Sequence, residues 1–438
     1  TGLATRAVRR QRYSLGGAGN VVANLVALGV RRVSAFAVLG PDPFGREMVR
    51  ILESLGVDTR GVLVQEQDWE TPVYVKPIES DREQNRLDFG NANELSPATA
   101  GLLIERVRAA RADLDVLVVN QQLVHGIHSE GLRAELAALL PARGAPAIVD
   151  SRAWSDQYAG AMRKINDREA LRLRGETWEG DEPVPREQVA SAAEELFARW
   201  GRAVFITRGA RGMLVRDSEG LSEVPGLLIL GRIDTVGAGD SALAGVAAAI
   251  AAGRSCRQAA ELGNFTAGVT VQKLFITGTA SPDEGRAIAD DADFVHEPEL
   301  AADPRRARMH AGTDIEIVTG LPAGRRPTHA IFDNDGTIST LREGWERIME
   351  PMMIRAILGR GWKQAGQGLH DRVRARVREY IDATTGVQTL VQMEGLARMV
   401  REFGAVPGPE VKDAAGYKAV YNEELLAMVR ARLARLER

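Results

Sequence analysis

Apolar positions alternate along the first 280 residues between a helical rhythm and short unbroken runs. Val21, Val22, Leu25 and Leu28 recur at helical spacing, and Gly29 closes that helix. Val33–Leu39 is a short apolar run and predicts a buried strand, followed by a helix over 45–55 that Gly56 stops. The rhythm breaks over 62–89, where Val62–Val64, Pro72–Ile78 and Asn85–Phe89 predict short strands with polar turns, a small sheet placed as a lid. Helices then follow over 100–112, 129–140 and 188–200, with strands over 116–119, 147–149 and 203–207 between them. Repeated strand–helix alternation marks an α/β fold with a parallel sheet covered by helices. Three of these strands end in Asn120, Asp150 and Thr207, polar residues at the edge where such sheets bind ligands.

The 438 residues suggest two or three domains, and 45% apolar with 26% charged residues describe an ordinary folded chain. A net charge of −3 gives no case for nucleic acid or an anionic membrane as the main partner. The longest apolar run, Ala242–Ala252, is too short to span a membrane. The single cysteine, Cys256, excludes an internal disulfide, fits a cytoplasmic setting and reads as a small core residue. His125 and His128 have metal-ligand spacing but no nearby acidic or Cys partner, so they read as loop histidines.

The densest chemistry lies at 234–241, Asp-Thr-Val-Gly-Ala-Gly-Asp-Ser, opening into a helix of small residues. A Gly-Ala-Gly turn at a helix start frees backbone N–H groups and adds the positive end of the dipole, which makes an anion cradle. Asp240 within that cradle is suited to take a proton from an attacking hydroxyl; an isolated Gly-x-Gly-Asp is also an ordinary N-capped loop. The eight-residue run resembles the C-terminal signature of the ribokinase-like (PfkB) carbohydrate kinases. By that resemblance Gly237, Ala238 and Gly239 form the anion hole and Asp240 is the catalytic base. The fold implied is a three-layer α/β/α sheet whose β lid pairs with a second subunit.

Other motifs extend the resemblance over roughly 15–285. Gly16-Gly17-Ala18-Gly19-Asn20 reads either as a βα turn or as a surface on which a sugar lies; the family's Gly-Gly…Asn motif makes Gly16, Gly17 and Asn20 substrate contacts. Asn166 and Glu169 match its Asn-x-x-Glu motif, which orders Mg²⁺ near the phosphates. Thr207, Gly209, Gly212 and Asn264 match positions around the nucleotide, so ATP and Mg²⁺ are implied. No Walker-type phosphate loop exists in the sequence. Within the family the chain is most similar to heptose-phosphate kinases. That likeness rests on the Gly16–Asn24 start, on Asn85–Phe89, on Val271–Leu274, and on Asp150-Ser151-Arg152 followed by Tyr158, Gly160 and Ala161. Arg152 stands where those kinases have Lys and offers a charge to a sugar phosphate. The family's first strand would precede Thr1, so a gap in the sheet is expected. The alternatives are a non-catalytic nucleotide- or sugar-binding module and a kinase for another sugar such as ribose or fructose.

Residues 286–312 read as a charged linker. A second unit over 313–438 opens with an apolar stretch over 328–332 read as a strand, then Asp333-Asn334-Asp335-Gly336-Thr337. Two carboxylates two apart on a strand end face one side and can share Mg²⁺. This resembles motif I of the haloacid dehalogenase (HAD) phosphatases, with Asp333 as nucleophile and Asp335 as acid/base. Helices over 343–358, 370–383 and 391–403 resemble a helical cap. The Ser/Thr, Lys and acidic pair that would complete the HAD core are not found before Arg438, so no phosphatase turnover is expected of this unit.

Overall fold

The computed structural model of the protein describes residues 7–436 apart from 80–81, 141–143, 181–182, 230, 275, 291–293, 297–307, 310, 313–315, 318–327 and 333–344. The chain divides into two compact units, Thr1–Asp303 and Pro304–Arg438.

The first unit begins with α1 (Ala18–Ala27), β1 (Ser34–Leu39), α2 (Pro43–Ser54) and β2 (Asp58–Val64). β2 runs parallel to β1, with Val38 opposite Leu63, so Val62–Val64 belong to a βαβ unit and not to the lid. The short apolar triplet concealed this, because its strand starts four residues earlier in the polar Asp58-Thr59-Arg60. The lid consists of β3 (Val73–Val75) paired antiparallel with β6 (Leu87–Phe89), and of β4 (Ile78–Glu79) with β5 (Arg82–Glu83).

Next come α3 (Pro97–Ala110), β7 (Leu117–Gln121), α4 (Glu130–Leu139), β8 (Ala147–Ser151), β9 (Met162–Asn166), α5 (Asp167–Leu173), α6 (Arg186–Trp200) and β10 (Val204–Thr207). A hairpin, β11 (Met213–Asp217) and β12 (Gly220–Val224), completes a six-stranded sheet ordered β12-β11-β10-β9-β8-β7. β7 to β10 are parallel and the hairpin is antiparallel, so the sheet is mixed. Among the described residues no hydrogen bonds join β1 or β2 to the β7 edge. The unit ends with β13 (Gly226–Leu227), α7 (Ala238–Ala251), α8 (Cys256–Thr270), α9 (Pro282–Ala289) and β14 (Val295–His296).

Alternate residues of the central strands feed opposite layers, as strand geometry requires. Ile148, Phe205, Met213 and Val215 pack with α1, α2, α7 and α8. Val149 packs with α3 and α4, and Val204, Ile206 and Leu214 pack with α5 and α6. β9 escapes a reading by hydrophobicity because it carries Arg163 and Lys164. Arg163 is wholly buried and donates to the carbonyls of Ser155, Ala161 and Tyr158, which supply the partners a buried guanidinium needs.

In the second unit helices Glu346–Leu358, Gln367–Ala383, Thr389–Phe403 and Ala414–Leu436 share a core that includes Met349, Met353, Val377, Met393, Leu396 and Val400. The stretch read as a strand at 328–332 is not one: it has no strand assignment, and Ile331 is 98% exposed. No sheet pairs with it among the described residues, and a strand without a ladder partner leaves its backbone groups to solvent. Asp333 and Asp335 lie outside the described residues. No helix among the described residues is long and apolar enough to cross a membrane.

Candidate active site

The polar residues gather at the carboxyl edge of the sheet. Asn120 on β7 is in register with Asp150 on β8, and Asn166 on β9 with Thr207 on β10. Lys164 on β9 reaches Asp150 with Nζ 2.7 Å from Oδ2, and both side chains are 6% exposed. The two central strands therefore end in a buried ion pair.

The N-terminus of α7 faces this edge. Gly237 adopts φ 81°, a left-handed conformation that favours glycine, and no side chain caps the helix. The Ala238 N–H turns back to the Thr235 carbonyl at 3.1 Å. The Gly239 and Asp240 N–H groups, which lie too early to have intrahelical acceptors, are then left to meet an anion. A Cβ on Gly239 would stand 3.1 Å from Lys164 Nζ, so the ammonium borders the cradle.

Asp240 lies in the first turn of α7, and Asn120 Nδ2 donates to its Oδ1 at 3.2 Å. Burial pushes its carboxyl up to about 6. The Lys164 ammonium opposes that rise, the Asp150 carboxylate adds to it, and the Asn120 and Asn20 amides draw it down. A carboxylate in this range is ionised at neutral pH yet basic enough to accept a proton. Burial works against the charge on Lys164, but Asp150, with Glu169 and Asp240 beyond it, holds its pKa above the ordinary value.

The glycine turn before α1 closes the other side. Gly17 has φ 49°, and a Cβ there would lie 3.7 Å from Asn120 Oδ1. Asn20 is buried and donates from Nδ2 to the Gly237 carbonyl at 3.3 Å. Gly17, Asn20, Gly237, Gly239 and Asp240 thus converge; Gly16 is exposed at the mouth of the turn. The Arg152 side chain is exposed beyond β8.

Asn166 and Glu169 form a capping box on α5: Asn166 Oδ1 accepts the Glu169 N–H at 2.8 Å and Glu169 Oε2 the Asn166 N–H at 2.9 Å. Burial raises the Glu169 carboxyl, which a nearby cation would relieve. Among the described residues no group of three or more His, Cys, Asp or Glu is arranged to hold a metal. Thr207, Gly209 and Gly212 line one turn after β10; a Cβ on Gly212 would overlap Pro225, whose carbonyl accepts Asn264 Nδ2 at 2.8 Å. These four residues therefore occupy one neighbourhood. His128 is buried and shares a 2.7 Å hydrogen bond with Tyr158, so it belongs to the core.

Sequence reasoning missed Lys164, and it gave Asn120 and Asp150 no role in the site beyond strand ends and, for Asp150, membership of the Asp150-Ser151-Arg152 motif. The available signal was a lysine two residues before Asn166, on the same face of that strand.

Residues 3–282 match the family profile described as pfkB family carbohydrate kinase. The bifunctional protein HldE of Mesorhizobium japonicum is 33% identical over 269 residues, covering 60% of this chain and 52% of the relative. The protein of the same name in Paramagnetospirillum magneticum is 32% identical over 278 residues, covering 62% and 54%. The chain spans about half the length of these curated relatives. Among solved structures, ribokinase from Thermotoga maritima superposes with a TM-score of 0.53 at 18% identity, over 66% of this chain and 92% of that one. Phosphofructokinase-2 from Escherichia coli gives 0.52 at 22% identity, over 62% and 86%. These likenesses show a ribokinase-like α/β fold.

Proposed function

The chain belongs to the pfkB family of carbohydrate kinases, and on that premise we propose that it phosphorylates a hydroxyl of a sugar or sugar phosphate with ATP. The observation that carries this reading is the uncapped N-terminus of α7, with Asp240 in its first turn and Lys164 at its border. Asp240 accepts the proton of the attacking hydroxyl. The alkoxide oxygen bonds to the γ-phosphorus as the bond to the ADP oxygen breaks. The Gly237–Gly239 turn and Lys164 face the charge on the equatorial oxygens. Gly16, Gly17 and Asn20 meet the sugar, and Thr207, Gly209, Gly212 and Asn264 the nucleotide. Asn166 and Glu169 would hold Mg²⁺ through its waters; the ion neutralises phosphate charge when bound.

A heptose phosphate is the favoured acceptor, on the Gly16–Asn24, Asn85–Phe89, Asp150–Ala161 and Val271–Leu274 motifs, with Arg152 offered to its phosphate. Exposed Tyr74, Ile78, Leu87 and Phe89 support pairing of the lid with a second copy, readable by sedimentation velocity. The lone cysteine supports a cytoplasmic setting. ADP release over a sugar panel tests the main reading: Asp240→Asn is expected to lower turnover by about 10²–10⁴-fold. Turnover at the parental rate removes Asp240 as base, and ATP-analogue binding without ADP release on any sugar favours a binding module.

For the C-terminal unit the proposal rests on the Asp333–Thr337 motif alone, read as HAD-like, with Asp333 as nucleophile, Asp335 as acid/base and both as Mg²⁺ ligands. No turnover of a generic phosphate ester is expected of this unit, whose motif stands without the Ser/Thr, Lys and acidic pair of a complete core. Hydrolysis that is lost in Asp333→Asn and kept in Asp240→Asn overturns that expectation.

A further inference from the structure

Asn24 lies on α1 one helical turn beyond Asn20, with its side chain fully buried. Its Oδ1 accepts the backbone N–H of Ala280 at 3.1 Å. A backbone N–H only donates, so this contact decides which end of the Asn24 amide is oxygen. The Nδ2 must then face the other way, where it meets Asn20 Oδ1 at 3.1 Å, Asn20 O at 3.0 Å, Gly278 O at 3.2 Å and Ser241 Oγ at 3.4 Å. The same logic passes one residue along. Asn20 Oδ1 is held as an acceptor by Asn24, so Asn20 Nδ2 points at the Gly237 carbonyl.

We propose that Asn24 is a positioning residue: it relays amide orientation from the Ala280 N–H to Asn20, so that Asn20 presents a donor to the Gly237–Asp240 cradle. Without the relay the orientation of the Asn20 amide rests on the Gly237 carbonyl and the Asp240 carboxylate alone. The flipped rotamer sets Oδ1 against the Gly237 carbonyl and toward the Asp240 carboxylate, acceptor against acceptor. The relay also joins three distant parts of the chain, α1, the start of α7 and the 278–280 loop, through one buried amide. The functional consequence rests on the kinase reading above. The charged groups facing Asp240 are Lys164 from β9 and Asp150 from β8, with neutral Asn120 from β7 and Asn20 from α1.

The test uses the full chain with Asn24→Leu, which keeps the branched shape and heavy-atom count but is bulkier and removes both donor and acceptor, and Asn24→Ala as a second variant should the first fail to fold. Thr266→Val is the control, a buried hydroxyl bonded only within its own helix. The variant is expected to lose about 10–100-fold in kcat, with ATP KM within about twofold of the parent. The acid limb of its kcat/KM profile is expected to move up by about one pH unit, since Asp240 loses a donor. The control changes only thermal stability. A turnover-free readout is exchange of the Asn20 side-chain amide hydrogens in protein labelled with ¹⁵N-asparagine, assigned by their loss in Asn20→Ser. Exchange about tenfold faster in Asn24→Leu supports the relay. A folded Asn24 variant with parental kcat, acid limb and exchange overturns it. If the parent phosphorylates no sugar, the kinase reading falls and the exchange measurement alone decides the relay.

Discussion

The Lys164 ammonium and the Asp150 carboxylate sit 2.7 Å apart on neighbouring strand ends, both nearly removed from solvent. Breaking a buried pair leaves an uncompensated charge, and the cost is about 3–5 kcal/mol. Asp150→Asn is expected to lower stability by that order in urea unfolding. Lys164→Met is expected to lower kcat by about 10²–10³-fold, the scale for removing one preorganised charge from a developing anion. Parental kcat in a folded Lys164→Met protein would make the pair purely structural.

Turnover should fall with a single protonation as pH drops through about 6, where Asp240 gains its proton. The linked stability effect runs the other way. The folded pKa of about 6 lies above the ordinary 3.8, so between these values the native state holds more protons than the unfolded chain. Asp240 therefore costs stability at neutral pH, and this cost fades as pH falls toward 3.8. Asp240→Asn is expected to be more stable than the parent at pH 7–8, by about 1–3 kcal/mol. The gain should vanish near pH 4 in denaturant titrations at several pH values. A gain that grows on acidification would contradict the buried-carboxylate account.

Gly237 and Gly239 should differ in tolerance to alanine. Gly237 combines φ 81° with Asn20 Nδ2 only 2.7 Å from where a Cβ would stand. Alanine there strains the backbone by about 1–2 kcal/mol and displaces the Asn20 amide. Gly239 is helical, and its Cβ would meet only Lys164 Nζ at 3.1 Å, a contact that a shift of the ammonium by a few tenths of an ångström relieves. Steady-state kinetics should show a loss of kcat and a rise in sugar KM for Gly237→Ala, with Gly239→Ala nearer the parent. The reverse order would show that Lys164 cannot yield.

In the second unit, Gly395 lets the Tyr380 hydroxyl reach the carbonyls of Val391 and Gln392, and a Cβ there would overlap that hydroxyl. Gly395→Ala is expected to destabilise the helical unit by about 1–3 kcal/mol, the usual cost of overpacking. Hydrogen exchange should rise over 346–436 while sugar-kinase turnover holds. Unchanged protection there would mean that Tyr380 repacks freely.

Much of the first unit was legible in the chain. The helix over 18–27, most of the strand–helix alternation from 100 to 207 and the glycine turn before the helix at 238 follow from periodicity and glycine placement. The strands most easily missed were those whose residues break the apolar rule. β9 carries a buried Arg and a buried Lys, and β12 at the sheet edge holds half-buried Ser222 and Glu223. The stretch over 328–332 erred in the opposite direction, with apolar residues but no neighbouring ladder.

Local chemistry alone determined the cradle: small residues, a left-handed glycine and a helix start act within a few residues of one another. Tertiary structure decided everything that depends on which strand ends lie side by side. The Lys164–Asp150 pair, the raised Asp240 carboxyl and the Asn24 relay each join residues separated by 14 to 256 positions. Burial and Coulomb energies depend on distance in space and on exclusion of water, and no spacing along the chain encodes either before the sheet has formed.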